Sequence, residues 1–312
     1  MSYLKIIRSI NLLFIAVIIC VMDKVLVRHL MLQYQLTEPL VWWQLLLLVL
    51  ATVLIAAGGY VINDYFDVKI DAINRPDRVI VTRSISKQQA MTLFYCLTGT
   101  GIGCGVALAL VLKSMSLGIT FVLVPGILWF YSASYKRQFL LGNLTIAFLS
   151  AMVPLLVGLA CDAAIKIEFG ADSMLGLYLI NTLYLWLAGF AAFAFLSTWA
   201  REIVKDVEDQ EGDREMECHT LPVMYGEVTS KIVATVLLVA VMTLLVLGNI
   251  YWIRGGFNIQ SLVTKYILML ELCFVVTLVL LWRARLPQDY HNTQVALKMT
   301  MLMGTMLPLV MS

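Results

Sequence analysis

Charged residues are scarce in this sequence: 13% of its 312 residues are Asp, Glu, Lys or Arg, whereas 61% are hydrophobic. An ordinary soluble domain carries about 25% charged residues and could not bury so much apolar side chain. Lipid is therefore expected to be the solvent for much of the chain. The net charge is only +2 and the sequence contains no basic run, so we do not expect a nucleic-acid partner.

Paired cysteines and clustered histidines are also missing. The six cysteines are scattered without CxxC spacing, which favours buried free thiols over a disulfide framework. His219 follows Cys218, but no second ligand lies nearby in the sequence, so a zinc site is not expected.

The first apolar run contains Asp23 and Lys24, and no small-residue cleavage site follows it. This pattern predicts a retained first helix rather than a signal peptide.

Long apolar segments dominate the chain instead. Each is close to the roughly 20 residues that a helix needs to cross a bilayer. Backbone groups cannot stay unpaired in hydrocarbon, and the segments lack the two-residue alternation of barrel strands. The sequence therefore predicts an all-α integral membrane fold, a single transmembrane domain over residues 1–312. Its helices, about nine in number, are expected near residues 9–30, 39–62, 88–112, 116–135, 143–161, 174–200, 230–253, 261–282 and 292–311.

Basic residues predict the orientation of these helices. With the N-terminus placed in the cytoplasm, fifteen Lys and Arg residues fall on the cytoplasmic side and six on the other. This bias follows the positive-inside rule. We therefore expect a multi-pass protein of the cell membrane whose N-terminus is cytoplasmic. The segments that follow the second and sixth helices would lie on the same side.

Acidic residues concentrate in those two segments, at residues 63–78 and 201–217. Asp64, Asp67 and Asp71 form the pattern DxxDxxxD, and the same pattern recurs 142 residues later. We call these the first and the second acidic motif; the second consists of Asp206, Asp209 and Asp213. Steps of three and four residues place the carboxylates of one motif on one face of a helix.

Such an arrangement is costly unless cations neutralise it. Like charges at this spacing repel, and anionic side chains at a helix C-terminus oppose the helix dipole. Clustered carboxylate oxygens with few sulfur or imidazole partners suit a hard cation, Mg²⁺ before Ca²⁺ or Mn²⁺. Because Mg²⁺ keeps water and phosphate ligands, the two motifs together are expected to hold two or three Mg²⁺ ions and a diphosphate. A solvated loop is the alternative interpretation of a charge run.

The first acidic motif resembles that of a known family. Asn63, Asp67 and Asp71, followed by residues 74–78 (Asn-Arg-Pro-Asp-Arg), are similar to the first motif of the UbiA-type intramembrane prenyltransferase superfamily. Asp209 and Asp213 match its second DxxxD motif. Within the superfamily, residues 201–213 look most like the digeranylgeranylglyceryl phosphate synthase branch. The chain departs from the usual pattern after Arg78, where Val-Ile-Val-Thr-Arg replaces a Pro- and Gly-containing turn.

The resemblance implies nine helices around a central cavity and Mg²⁺-dependent transfer of a prenyl group from an allylic diphosphate. A geranylgeranyl group and a lipid-soluble acceptor such as geranylgeranylglyceryl phosphate are expected, with the isoprenoid dissolved in membrane lipid. The expected catalytic residues are Asn63, Asp67, Asp71, Asp209 and Asp213, and the expected metal ligands are the six aspartates of the two motifs. Expected diphosphate-binding residues are Arg75, Arg78, Lys136 and Arg137. Expected acceptor or pocket residues are Arg8, Asn11, Asn143, Arg201 and Lys205.

Other functions stay open at this point. An aromatic or quinone-precursor acceptor would leave the donor site unchanged. A secondary transporter with paired acidic sites is a different class, but its acids are expected near the bilayer midplane within broken helices. Here the acidic motifs follow the spans instead. A CDP-alcohol phosphotransferase would need a DGxxAR sequence that neither motif has. Glu271 and Lys298 lie within spans, where a mutual ion pair would be the least costly arrangement.

Overall fold

A computed structural model describes residues 2–74, 76, 79–250 and 261–311, and these are almost entirely helical. Within those ranges, nine helices are long and apolar enough to cross a membrane, which confirms the predicted fold class. In chain order they are α1 Ser9–Leu32, α2 Trp42–Phe66, α3 Lys87–Val111, α4 Met115–Ala133, α5 Leu141–Phe169, α6 Met174–Glu208, α7 Leu221–Gly248, α8 Leu262–Arg283 and α9 Pro287–Met311.

Several helices extend beyond the apolar runs that predicted them. We expected α2 to end near residue 62 and α6 near residue 200, but they continue to Phe66 and Glu208. Likewise, α7 begins at Leu221 and α9 at Pro287, ahead of the predicted starts. Hydropathy marks where a helix leaves the apolar environment, whereas the helix ends only where its backbone hydrogen bonds end. As a consequence, the first aspartate of each acidic motif belongs to a long helix.

The chain divides into two compact units. The first comprises residues 1–135 and 152–188, and the second comprises residues 136–151 and 189–312. In the first unit, glycines bring neighbouring helices together. A Cβ added at Gly58 of α2 would lie 2.3 Å from Thr98 Oγ1, and one added at Gly105 of α3 would lie 2.3 Å from Phe121 of α4. These close approaches are typical of small residues between membrane helices.

An acid inside α1 is stabilised by ion pairs in the same unit. Asp23 is fully buried in a π-helical turn, Met22–Val27. Its Oδ2 lies 3.2 Å from Lys24 Nζ, and its Oδ1 accepts a weak hydrogen bond from Cys161 Sγ at 3.8 Å. Lys24 also pairs with Glu38 in the loop before α2. Lys24 is therefore a cation beside the buried Asp23 carboxylate within the first unit.

The second unit contains a buried lysine that makes several polar contacts. Lys231 of α7 is 6% exposed. Its Nζ donates to the Ala284 carbonyl oxygen at 2.7 Å, pairs with Glu227 Oε1 at 2.8 Å and lies 5.2 Å from the ring centroid of Tyr290. These contacts connect α7 to the segment between α8 and α9. The sequence suggested an ion pair between Glu271 and Lys298. Among the described residues, the buried Glu271 Oε1 has no hydrogen-bond partner, so this oxygen does not form such a pair.

Candidate active site

The first acidic motif spans a break in the helix. Asp64 lies in the last turn of α2, which ends at Phe66. Asp67 follows with φ −87° and ψ 0°, and a short helix, Val68–Asn74, carries Asp71. Backbone hydrogen bonds continue through this break, from Asp67 N to Asn63 O at 2.9 Å and from Asp71 N to Asp67 O at 2.8 Å. The three carboxylates therefore keep nearly helical spacing.

The second acidic motif has the same backbone pattern. Asp206 lies in the last turn of α6, and Asp209 follows the end of that helix with φ −93° and ψ 8°. Asp213 belongs to the short helix Gln210–Glu215. Asp209 N donates to Lys205 O at 2.9 Å, and Asp213 N donates to Asp209 O at 3.1 Å. The sequence repeat is therefore also a structural repeat: long helix, break at the middle aspartate, short helix.

A cation contacts the first motif. Arg8 Nη2 donates to Asp64 Oδ1 at 3.0 Å, with 41% of the Arg8 side chain exposed and 14% of the Asp64 side chain. The Arg8 guanidinium lies 5.0 Å from the ring centroid of Tyr60. Burial lowers the pKa of Arg8, but the neighbouring Asp64 carboxylate and Tyr60 outweigh it, so the net shift of this pKa is upward. Arg8 is therefore a permanent positive charge beside the motif.

The backbone at Arg8 explains how its side chain reaches α2. Arg8 has φ 51° and ψ 56°, in the left-handed region that few residues other than glycine adopt. It separates the short helix Ser2–Ile6 from α1. Asn11, in the first turn of α1, donates its backbone N–H to Arg8 O at 2.8 Å. The left-handed residue turns the chain so that its side chain approaches Asp64.

Neutral donors contact the second motif. Asn143, which is 8% exposed in the first turn of α5, donates its side-chain Nδ2 to Asp206 Oδ2 at 2.8 Å. Thr220 donates its hydroxyl to Asp213 Oδ2 at 3.1 Å, and both residues are buried. Asn143 was predicted as a pocket residue, and its contact with Asp206 assigns it to the motif itself. Thr220 was not predicted, because one threonine before an apolar run gives no distinctive signal.

Further contacts fix the segment around Asp209. Glu208 Oε1 lies 3.3 Å from His291 Nδ1, and Glu208 also accepts a hydrogen bond from Gln294. On the other side of Asp209, Gln210 Nε2 donates to Pro222 O at 2.9 Å. These side chains were not predicted from the sequence. The available signal was the polar first turns of α9, Pro-Gln-Asp-Tyr-His-Asn-Thr-Gln, at the start of an otherwise apolar helix.

The basic residues predicted near the site have different environments. Arg201 Nη1 donates to Glu202 Oε1 at 2.6 Å, and Lys205 Nζ lies 4.0 Å from Glu202 Oε2. Lys136 and Arg137 form the 3₁₀ turn Tyr135–Arg137. Arg137 also accepts a hydrogen bond at its carbonyl oxygen from His219 N at 2.8 Å. The other two predicted diphosphate-binding residues, Arg75 and Arg78, lie outside the described residues.

The donor atoms of both motifs fit Mg²⁺. They are carboxylate oxygens, and the residue before the first motif, Asn63, has an amide oxygen. Oxygen ligands of this kind are those of a hard cation. Across the part of the chain that the structure describes, no three His, Cys, Asp or Glu residues group closely enough to hold a metal ion by themselves. Mg²⁺ is commonly bound by one or two carboxylates together with waters and substrate phosphates. Each motif can supply that number.

Known proteins identify the family to which these motifs belong. Residues 29–304 match the UbiA prenyltransferase family. A digeranylgeranylglyceryl phosphate synthase from Methanosphaera stadtmanae is 31% identical over 254 residues, which cover 81% of this chain and 82% of that protein.

Two solved structures share the fold. One is described as digeranylgeranylglyceryl phosphate synthase in membranes; it has a TM-score of 0.59 and 25% identity and covers 99% of this chain and 96% of its own. A UbiA homologue from Archaeoglobus fulgidus, bound to DMAPP and Mg²⁺, has a TM-score of 0.58 and 16% identity and covers 98% of this chain and 99% of its own. This multi-pass membrane protein therefore belongs to the UbiA prenyltransferase family, and it is a prenyltransferase.

Proposed function

We propose that the chain transfers a prenyl group, geranylgeranyl by preference, from an allylic diphosphate to a lipid-type acceptor such as geranylgeranylglyceryl phosphate, with Mg²⁺ as cofactor. The observation that carries this proposal is the repeated DxxDxxxD motif, which has the same helix break at its middle aspartate in both copies. Two facts about similar proteins support it. The relative from Methanosphaera stadtmanae is named for the lipid product, and the Archaeoglobus fulgidus homologue binds DMAPP and Mg²⁺.

The aspartates of both motifs would hold the cofactor. When bound, Mg²⁺ neutralises the negative charge that gathers on the departing diphosphate. Asn143 and Thr220 orient the carboxylates of Asp206 and Asp213 by direct hydrogen bonds. Because these donors are neutral, they fix the carboxylate geometry and leave the negative charge available to a cation. Binding of the diphosphate itself is assigned to Arg75, Arg78, Lys136 and Arg137, and catalytic positioning in the first motif to Asn63, Asp67 and Asp71.

A phosphorylated acceptor would need a second cationic locus. Arg201 and Lys205 share the single carboxylate of Glu202, at 2.6 Å and 4.0 Å. Arg201 and Lys205 lie four residues apart on α6, so their side chains share one face of the helix. A phosphate can accept charge-assisted hydrogen bonds from both. The excess of Lys and Arg on one side of the helices further supports a cell-membrane protein with its N-terminus and its acidic motifs on the cytoplasmic side.

Product formation tests the donor and the acceptor together. Purified protein in lipid nanodiscs would be incubated with labelled geranylgeranyl diphosphate and Mg²⁺, and offered geranylgeranylglyceryl phosphate, hydroxybenzoate or naphthoate. We expect a labelled diether lipid, no turnover in excess chelator, and recovery when Mg²⁺ is restored. Turnover of an aromatic acid without turnover of the glycerol lipid would overturn the acceptor assignment. Full turnover in excess chelator would refute the role of the aspartates.

A further inference from the structure

Helix α6 carries a buried hydrogen-bond donor that the acidic motifs do not use. Trp199 is partly exposed, but its indole Nε1 is buried and has no hydrogen-bond partner among the described residues. The ring meets Phe195 edge-on, with the ring centroids 5.8 Å apart. Buried indole N–H groups in proteins normally have a partner, so an unpaired one requires an explanation. An atom of the substrate would be the missing hydrogen-bond partner.

The position of Trp199 on α6 points to the substrate. Trp199 precedes Asp206 by seven residues, which is close to two turns, so the two side chains lie on the same face of the helix. At a rise of 1.5 Å per residue, Trp199 lies about 10 Å further from the C-terminal end of α6 than Asp206 does. That displacement runs from the acidic motif toward the apolar middle of the helix.

The geometry of a prenyl diphosphate places the reacting atoms in that direction. In the proposed reaction, the second acidic motif would hold the diphosphate through Mg²⁺. Its apolar chain extends from the diphosphate toward the apolar part of the membrane. The reacting carbon is bonded to the diphosphate, so it lies just beyond the motif on the way to Trp199. The nucleophilic oxygen of the acceptor must approach this carbon to within about 3–3.5 Å.

We propose that Trp199 is a specificity-determining residue of the acceptor site, whose indole N–H donates a hydrogen bond to an oxygen atom of the acceptor. This inference rests on the proposed prenyl transfer and adds to it a residue that orients the acceptor rather than the donor. A site built to donate a hydrogen bond discriminates against acceptors that lack the matching oxygen, because the donor would then stay unpaired.

A single substitution isolates the N–H group. Trp199→Phe keeps an aromatic ring and removes the donor. We expect it to raise the KM of the acceptor about 5- to 10-fold, the effect of one hydrogen bond, with a change of less than about twofold in the KM of the diphosphate donor. Trp199→His restores a ring N–H and should recover part of the acceptor affinity. The matched control is Trp282→Phe, because the N–H of Trp282 is already paired with Thr235 Oγ1 at 3.1 Å.

The outcomes separate this inference from the proposed function. Equal changes in both KM values, or no change in either, would overturn the role of Trp199. So would an acceptor effect in Trp282→Phe as large as that in Trp199→Phe. Failure of the wild type to use geranylgeranylglyceryl phosphate would instead overturn the proposed acceptor. The same variants would then be compared on whichever acceptor the wild type prenylates, with the same expected separation of the two KM values.

Discussion

The two acidic motifs share the spacing of their aspartates and a backbone break, and Asp64 of the first motif has a different kind of hydrogen-bond donor from Asp206 and Asp213 of the second. In the first motif, Asp64 pairs with the guanidinium of Arg8 at 3.0 Å. In the second, Asp206 and Asp213 accept hydrogen bonds from the neutral groups of Asn143 and Thr220, at 2.8 Å and 3.1 Å. The break at the middle aspartate is the common element, and the neighbouring donors are the variable one.

The two kinds of donor are expected to have opposite effects on the binding of a cation. A guanidinium beside a carboxylate compensates its charge and competes with a metal ion for it. A neutral amide or hydroxyl orients the carboxylate without compensating its charge. Groups that orient metal ligands typically affect metal affinity or activity by about 10- to 100-fold. We therefore expect the donors of the second motif to strengthen Mg²⁺ binding and Arg8 to weaken it.

Removing the middle carboxylate of either motif should have the largest effect. Asp67→Asn and Asp209→Asn keep the side-chain shape and remove one negative charge each. If both motifs hold Mg²⁺, each variant should lower the rate of prenyl transfer by roughly 100-fold or more at saturating substrate. Initial rates would be compared with those of Asp172→Asn, which removes an exposed carboxylate from the loop before α6. A large loss of rate from one substitution and none from the other would show that the two motifs do not contribute equally to catalysis.

Removing the amide that orients Asp206 should have the next largest effect. Asn143→Ala leaves the carboxylate in place but without its donor at 2.8 Å. The Mg²⁺ concentration for half-maximal rate should rise roughly 10-fold. Asn181→Ala, at an exposed position of α6, is the matched control and should show no such rise. An unchanged Mg²⁺ requirement in Asn143→Ala would mean that the contact only joins α5 to α6.

Removing the cation beside Asp64 should act in the opposite direction. Arg8→Gln leaves a donor but takes away the charge that competes with Mg²⁺. The Mg²⁺ concentration for half-maximal rate should fall about threefold, a modest change because the pair is partly exposed and screened by solvent. Lys5→Gln removes an exposed charge from the same end of the chain and is the control. A higher Mg²⁺ requirement in Arg8→Gln would show that Arg8 supports metal binding instead of opposing it.

The sequence predicted the membrane fold and both motifs because each depends on a local pattern. Hydropathy over about 20 residues indicated the spans, which the nine helices confirm, and the repeat of DxxDxxxD was visible at its fixed offset. The breaks at Asp67 and Asp209 could not be predicted. Neither position has a neighbouring proline or glycine that would end a helix, so the breaks depend on tertiary structure.

The donors to the motifs were harder to predict than the motifs themselves. Asn143 lies 63 residues from Asp206 in the sequence, and Gln294 lies 86 residues from Glu208. Such contacts form only when distant helices pack, and one sequence gives no register between helices. Arg8 was identified by its resemblance to the family, but its left-handed backbone was not. The sequence therefore singled out Arg8 and Asn143 without the contacts that they make, and it did not single out Thr220 or Gln294.

The smallest expected effect on rate concerns the hydroxyl that contacts Asp213. Thr220→Val keeps the shape of the side chain and removes the donor at 3.1 Å from Asp213 Oδ2. Because both residues are buried, the free energy of unfolding should fall by about 1–2 kcal/mol. The transfer rate at saturating Mg²⁺ should fall only about twofold, since a bound cation would orient the carboxylate in place of the hydroxyl. Thermal unfolding with and without Mg²⁺ would measure the first effect and initial rates the second.

Thr229→Val, whose exposed hydroxyl donates to Tyr225 O within α7, is the control. If Thr220→Val instead lowered the rate as much as Asn143→Ala does, the two neutral donors would be equivalent, and the hydroxyl would orient Asp213 even with Mg²⁺ bound.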